Sequence, residues 1–237
     1  EFRRVLFRSQ LARRRAAQGI AVGSVSGFQI SLDYSWFVIF FLILGTFSGV
    51  VFPSYVPGLD RRVYLAMGAA GTALFFASLL AHELAHAYMA RARRLEVEGI
   101  PLFVFGGMAR TRSEASRPAD EFLIAAVGPL ASLLLAGAFY AVAAWLEAAG
   151  WAPAVFTVLA HLSFLNLALA VFNVMPGFPL DGGRMLRAVV WRLSGSLRTA
   201  TTVAAFAGRG LGWLVIGAGL YSMFVASQLV TGLWSIF

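Results

Sequence analysis

Five long apolar runs, almost free of charge, constrain this chain more than any other feature. An apolar helix of about 20 residues is long enough to cross the hydrocarbon core of a bilayer. Each run approaches or exceeds that length: 34–52, 63–81, 122–146, 151–180 and 210–237. Only 13% of the 237 residues are charged, about half the share found in soluble domains. The sequence therefore predicts a polytopic membrane protein with five spans, or six if the last run begins another.

Arginine placement predicts the orientation of these spans. The chain has 19 basic residues, all arginine, against 11 acidic ones. In a soluble protein this excess would suggest nucleic acid binding. Here the arginines lie between the apolar runs and cluster in residues 1–15, 91–121 and 184–198. Because cytoplasmic loops carry the excess of arginine and lysine, we expect a multi-pass cell-membrane protein with these three segments in the cytoplasm, and no nucleic acid partner.

Two segments are not predicted to span the membrane. Residues 95–110 mix glycine with β-branched and aromatic residues, a pattern that favours short strands at the membrane face. Residues 185–197 place arginines among large apolar residues, as an amphipathic helix in the interface would. The predicted fold class is therefore an all-α polytopic membrane protein of five to six transmembrane helices with a short membrane-associated β segment.

The domain prediction divides the chain into two parts. Residues 1–27 form a basic cytoplasmic arm, and its first residues read as non-native because they begin without methionine. Residues 28–237 form one membrane domain. The last run stops without a polar end, so we expect that this domain is truncated at its C-terminus.

Two of the chain's three histidines lie in the motif His82-Glu83-Leu84-Ala85-His86. A spacing of four residues puts both imidazoles on one helix face, where they can share a Zn²⁺ ion. Glu83 lies beside them and is placed to accept a proton from water. The alternative is a structural cluster of two core histidines and a buried glutamate. Three ionisable groups inside a membrane span are costly without a function, which favours the metal site.

A catalytic zinc site has three protein ligands and one open position, so a third ligand is needed. Asp33 and Asp181 both lie near the cytoplasmic end of an apolar run. Asp181 is favoured, because Pro176, Pro179 and nearby glycines break the helix before it. Irregular backbone at membrane depth is tolerated where protein or a water-filled cavity covers it. Asp33 remains the alternative.

These motifs resemble the site-2 protease family of intramembrane zinc metalloproteases, which pair a His-Glu-x-x-His helix with a later Leu-Asp-Gly. The resemblance runs from about residue 27 to the end, and it implies one Zn²⁺ per chain. By this resemblance the zinc ligands are His82, His86 and Asp181, and the catalytic glutamate is Glu83. Asn173 matches an asparagine that stabilises substrate or oxyanion. The segment that would receive substrate as an added strand is Phe103-Val104-Phe105-Gly106-Gly107.

The chain has no room for an inserted PDZ domain, which is typical of the compact branch of the family, often followed by CBS domains. The implied function is zinc-dependent endopeptidase cleavage within or near the transmembrane segment of a single-span membrane protein, as in regulated intramembrane proteolysis. The implied partners are that substrate and the lipid bilayer, with a homo-oligomer left open. The alternatives are an inactive homologue that binds membrane segments, and a transporter, which would carry midplane charges on several helices.

Overall fold

The protein is described by a computed structural model that covers residues 20–103, 106–107, 110–111 and 115–224. Within these ranges, five helices are long and apolar enough to cross a membrane. The described strands form one small five-stranded sheet. The fold class predicted from the sequence, a helical polytopic protein with a short β segment, is therefore confirmed.

Five of the longer helices follow the apolar runs, and aspartates cap the first two of them. In chain order the longer helices are α1 Tyr34–Thr46, α2 Arg61–Ala92, α3 Pro118–Ala148, α4 Pro153–Val174, α5 Asp181–Ser194 and α6 Leu197–Phe224. The first span continues beyond α1 through a π-helical turn, Phe47–Val51, and ends with a single α-helical turn, Phe52–Tyr55. Asp33 caps α1 by accepting a hydrogen bond from the Ser35 amide at 2.9 Å. Asp60 caps α2 through the Arg62 amide at 2.8 Å, and both caps satisfy backbone donors that a helix start leaves free.

The sheet is larger than the sequence predicted. Its strands are β1 Ile20–Val25, β2 Phe28–Leu32, β3 Val97–Phe103, β4 Gly106–Gly107 and β5 Arg110–Thr111. β2 pairs with β1 antiparallel and with β3 parallel, and both β4 and β5 pair antiparallel with β3. The strands expected within 95–110 are thus confirmed. The sequence did not indicate β1, because all six of its residues are exposed and no alternating buried face marks it.

Contacts divide the described chain into two compact units, and the first comprises residues up to 111 together with 130–170. In this unit the sheet covers the C-terminal part of α2, where Phe28, Ile30, Ala87 and Ile100 form a buried cluster. The turn after β1 is tied to the same helix. Arg91 donates to the Ser26 carbonyl at 2.9 Å, and its guanidinium lies 4.4 Å from the centre of the Phe28 ring. The sheet is therefore anchored just beyond the histidine motif.

His161, the histidine outside the motif, packs beside the second buried cluster of this unit, which includes Phe47 and Phe52. Its ring packs edge-on against Phe47, with centroids 5.1 Å apart, and also contacts Phe52 and Tyr55. Its Nδ1 atom is buried without a hydrogen-bond partner in the described part of the chain. Aromatic rings therefore position His161.

The second unit comprises residues 115–129 and 171–224. Its α5 agrees with the predicted amphipathic helix, although it begins earlier, at Asp181. It ends at Ser194 and is capped by Gly195, whose φ of +68° is left-handed. Such a cap strongly favours glycine. The fifth span begins at Leu197, thirteen residues before the predicted run, because Arg198 and Arg209 interrupt the apolar pattern from which that run was defined. The start of a sixth span, which the last run left open, would lie in residues 225–237, outside the described residues.

Candidate metal centre

The histidine motif lies on α2, inside the protein. His82, Glu83 and His86 are all buried. The Nε2 atoms of the two histidines are 3.1 Å apart, and their ring planes are inclined at 77°. Two ligands of a tetrahedral zinc ion with bonds of about 2.05 Å are separated by about 3.3 Å. One turn of helix therefore brings two imidazole nitrogens to the separation that a shared zinc ion requires.

Asp181 lies at the first position of α5, after a non-helical segment that follows α4. The preceding residue, Leu180, has an extended backbone. The two glycines after Asp181 permit a tight return of the chain. A Cβ atom at Gly182 would collide with the carbonyl oxygens of Val174 and Met175, and one at Gly183 would collide with backbone of the 177–178 segment. The two glycines thus allow α5 to begin at Asp181, close to the backbone of the preceding segment.

The two histidines and Asp181 together offer three ligand atoms that all lie within 4.8 Å of one another. Two imidazoles and one carboxylate are the donor set of one class of catalytic zinc site, which keeps a fourth position open. The residues present therefore fit a zinc ion. The alternative ligand, Asp33, is not part of this group and serves as a helix cap. Hydrogen bonds from the side chain and backbone of Ser35 lower the pKa of the Asp33 carboxyl.

The remaining predicted site residues are placed as follows. Asn173 is half-buried in the last turn of α4. Phe103 ends β3, and its backbone pairs with that of Gly106, while Leu102 pairs with Gly107. Val104 and Phe105, also predicted to bind substrate, lie outside the described residues. The predicted glycine segment thus lies in a strand pair with β3.

Sequence reasoning missed one residue beside the histidines. Ser132, on α3, is fully buried, and its Oγ lies 2.9 Å from Nδ1 of His82. A lone serine in an apolar helix has no pattern that could have revealed this contact.

It also missed an ion pair in the second unit. Arg187 on α5 donates through Nε to the buried Glu121 on α3 at 2.5 Å, and its guanidinium lies 5.4 Å from the centre of the Phe178 ring. Here a signal existed, because an acidic residue at the start of an apolar run needs a partner if it is buried.

Comparison with known proteins identifies relatives that match most of the chain. The family model "Peptidase family M50" matches residues 70–155 and 147–216. The chain is 40% identical over 218 residues to the putative zinc metalloprotease Rip3 of Mycobacterium tuberculosis, covering 92% of this chain and 55% of that protein. It is 36% identical over 200 residues to the putative zinc metalloprotease sll0528 of Synechocystis, covering 84% of this chain and 52% of that protein.

A solved structure is similar over nearly its full length. The site-2 protease from Methanocaldococcus jannaschii matches with a TM-score of 0.58 and 28% identity, covering 92% of each chain. The chain spans about half the length of the curated relatives that it matches. The family model covers more than half of the chain and includes the histidine motif and Asp181. The chain therefore belongs to peptidase family M50, the site-2 protease family.

Proposed function

We propose that this chain is the membrane domain of a zinc-dependent intramembrane endopeptidase. The observation that carries the proposal is the convergence of His82, His86 and Asp181, whose ligand atoms lie within 4.8 Å of one another. Glu83, in the same motif, is buried. Family membership supports the same conclusion. The proposed ligand set is these three residues, and the proposed stoichiometry is one zinc per chain.

Zinc bound at this centre would supply Lewis-acid chemistry, polarising the scissile carbonyl and lowering the pKa of water. Glu83 accepts the proton of the attacking water and passes it to the leaving amine. Its position next to His82 in the sequence, on a buried part of α2, supports this role. Asn173 donates from its side-chain amide to the oxygen that becomes negative in the transition state.

The substrate is a membrane protein with a single transmembrane segment. A peptide bond within a helix is shielded by backbone hydrogen bonds, so this segment must unwind before it is cut. The residues 103–107, which include the short strand β4, hold the unwound segment by adding it to the sheet. The pairing of β4 with β3 and the anchoring of the sheet on α2 support this placement.

The protein resides in the cell membrane with its N-terminus and its active-site end facing the cytoplasm. The arginine clusters support this orientation. Cleavage from this side would release a cytoplasmic fragment, as in regulated intramembrane proteolysis.

The proposal is tested with purified protein in liposomes. Single-span model polypeptides that carry a Gly-Pro pair in the span would be reconstituted with the wild-type chain and with Glu83→Gln. We expect zinc-dependent fragments from the wild type and none from the variant. A zinc-loaded wild type that binds these polypeptides without cutting any of them would favour the alternative, an inactive homologue that binds membrane segments.

A further inference from the structure

The hydroxyl of Ser132 forms an interaction with the metal centre that the proposed function does not use. Ser132 is 0% exposed and His82 is 3% exposed, and the Ser132 Oγ lies 2.9 Å from His82 Nδ1. The two residues are 50 positions apart in sequence, so the contact joins α3 to α2. The contact uses Nδ1 of His82, whereas Nε2 of the same ring faces His86.

The Ser132 hydroxyl can either accept a hydrogen bond from His82 Nδ1 or donate one to it, and only the first arrangement suits metal binding through Nε2. A neutral imidazole carries one proton, so one nitrogen donates a hydrogen bond and the other offers a lone pair. If Nδ1 donates to the Ser132 oxygen, Nε2 keeps its lone pair and is ready to bind a metal ion. Metal-bound histidines commonly donate their second nitrogen to an oxygen in this way, which fixes the tautomer and the ring orientation.

Other hydroxyls nearby do not have such a role. Ser78, one turn before His82 on α2, donates to the Leu74 carbonyl of its own helix at 2.9 Å. Ser163 on α4 donates to the Ala136 carbonyl at 2.8 Å. Both bonds satisfy backbone oxygens, whereas the described partner of Ser132 is a proposed metal ligand.

We propose that Ser132 is a positioning residue that holds the His82 ring in its metal-binding tautomer and orientation. The inference rests on the proposed function, because it takes His82 as a zinc ligand. Ser132 does not touch the metal or the substrate. It acts through His82 alone, and its loss should weaken zinc binding while the fold is retained.

The test compares Ser132→Ala with the matched control Ser163→Ala, which removes a hydroxyl of the same unit that bonds a backbone carbonyl of the neighbouring helix. Zinc affinity of the purified proteins in detergent is measured by competition with a chromogenic chelator. We expect Ser132→Ala to lower the affinity about 10–100-fold, the usual cost of losing an outer-shell partner. Ser163→Ala should leave it unchanged, and Ser132→Thr, which keeps a hydroxyl, should restore much of it.

A second measurement reports the tautomer directly and does not depend on zinc. The chain has only three histidines, so ¹⁵N-histidine NMR of the zinc-free protein can assign each ring by single substitution. We expect His82 to carry its proton on Nδ1 in the wild type and to shift toward the Nε2 form in Ser132→Ala. The signals of His161 should not move.

The outcomes separate this inference from the proposed function. A folded wild type that takes up no zinc would overturn the metal site and, with it, the role of Ser132. A wild type that binds zinc, with Ser132→Ala binding equally tightly and keeping the same tautomer, would overturn only the role of Ser132. Should Ser132→Ala fail to fold, the tautomer of wild-type His82 decides, and a proton on Nε2 would refute the inference.

Discussion

At the scale of single residues, the same amino acid type serves different purposes according to its place in the fold. Asp181 begins a helix with its carboxylate near two histidines. Asp33 lies at a helix start too, but its carboxylate caps that helix through Ser35. Hydrogen bonds from the side chain and backbone of Ser35 lower the pKa of the Asp33 carboxyl. The motif spacing indicated the histidine pair. The helix-breaking residues before Asp181 favoured it over Asp33, and the three-dimensional arrangement groups Asp181 with the two histidines.

Asp181→Ala should reduce zinc binding strongly, because it removes one of three proposed ligands. Zinc affinity should fall by more than the factor of about 10–100 that is expected when an outer-shell partner is removed. Zinc per chain, measured by atomic absorption after purification, checks this prediction. Asp33→Ala is the matched control and should keep its zinc; the reverse pattern would make Asp33 the third ligand.

Glu83→Gln should abolish cleavage and keep zinc, because glutamine cannot accept the proton from water but preserves the shape of the side chain. General-base catalysis contributes about 10²–10⁴-fold to the rate, so the cleavage rate of the variant should be lower than that of the wild type by at least this factor. Cleavage of a model polypeptide and zinc content are measured on the same preparation. Undiminished turnover by a zinc-loaded variant would mean that another group is the base.

At the scale of elements, the sheet is attached to the helix that carries the histidines, through Arg91 and Ser26. Sequence analysis predicted the strands near 95–110 because glycine and β-branched residues mark them. It could not predict β2 beside β3, since a parallel pair between residues 30 and 100 leaves no local pattern. It also missed the contact of Ser132 with His82, because long-range packing of an isolated polar residue in an apolar helix has no periodic signature.

Replacing both Gly106 and Gly107 with valine should impair cleavage but leave zinc bound. These residues form β4, which pairs with the end of β3, and bulky side chains there would obstruct an added strand. Cleavage rate and zinc content are compared with the wild type. A variant that loses its metal would show that β4 supports the site structurally and does not handle substrate.

Glu121→Gln should destabilise the protein, because it leaves the Arg187 guanidinium without its charged partner. Breaking a buried ion pair by removing one charge costs about 3–5 kcal/mol. Thermal unfolding of the zinc-free protein in detergent measures the effect. Glu147→Gln, an exposed position at the other end of the same helix, is the control. Equal melting temperatures for both variants would mean that the pair contributes nothing to stability.

At the scale of the whole molecule, the arginine clusters and the five spans together predict a single orientation in the membrane. Cytoplasmic loops retain arginine because its transfer across the membrane is disfavoured. By that rule, the loop before α2 and the loop after α3 face outward, and the loop after β5 and the end of α5 face the cytoplasm. The histidine motif, near the C-terminal end of α2, then lies toward the cytoplasm.

Single cysteines can test this orientation without background, because the chain contains none. Pro57→Cys and Ala149→Cys should react with a membrane-impermeant maleimide added to intact cells, since both residues are exposed in outward loops. Ser116→Cys and Ser194→Cys, also exposed, should react only in inverted vesicles. Each pair of positions is the control for the other pair. If all four showed the opposite labelling, the topology would be the reverse of the one predicted. The proposed cleavage would then release its product on the outer side, which is incompatible with a cytoplasmic fragment as the product of this site.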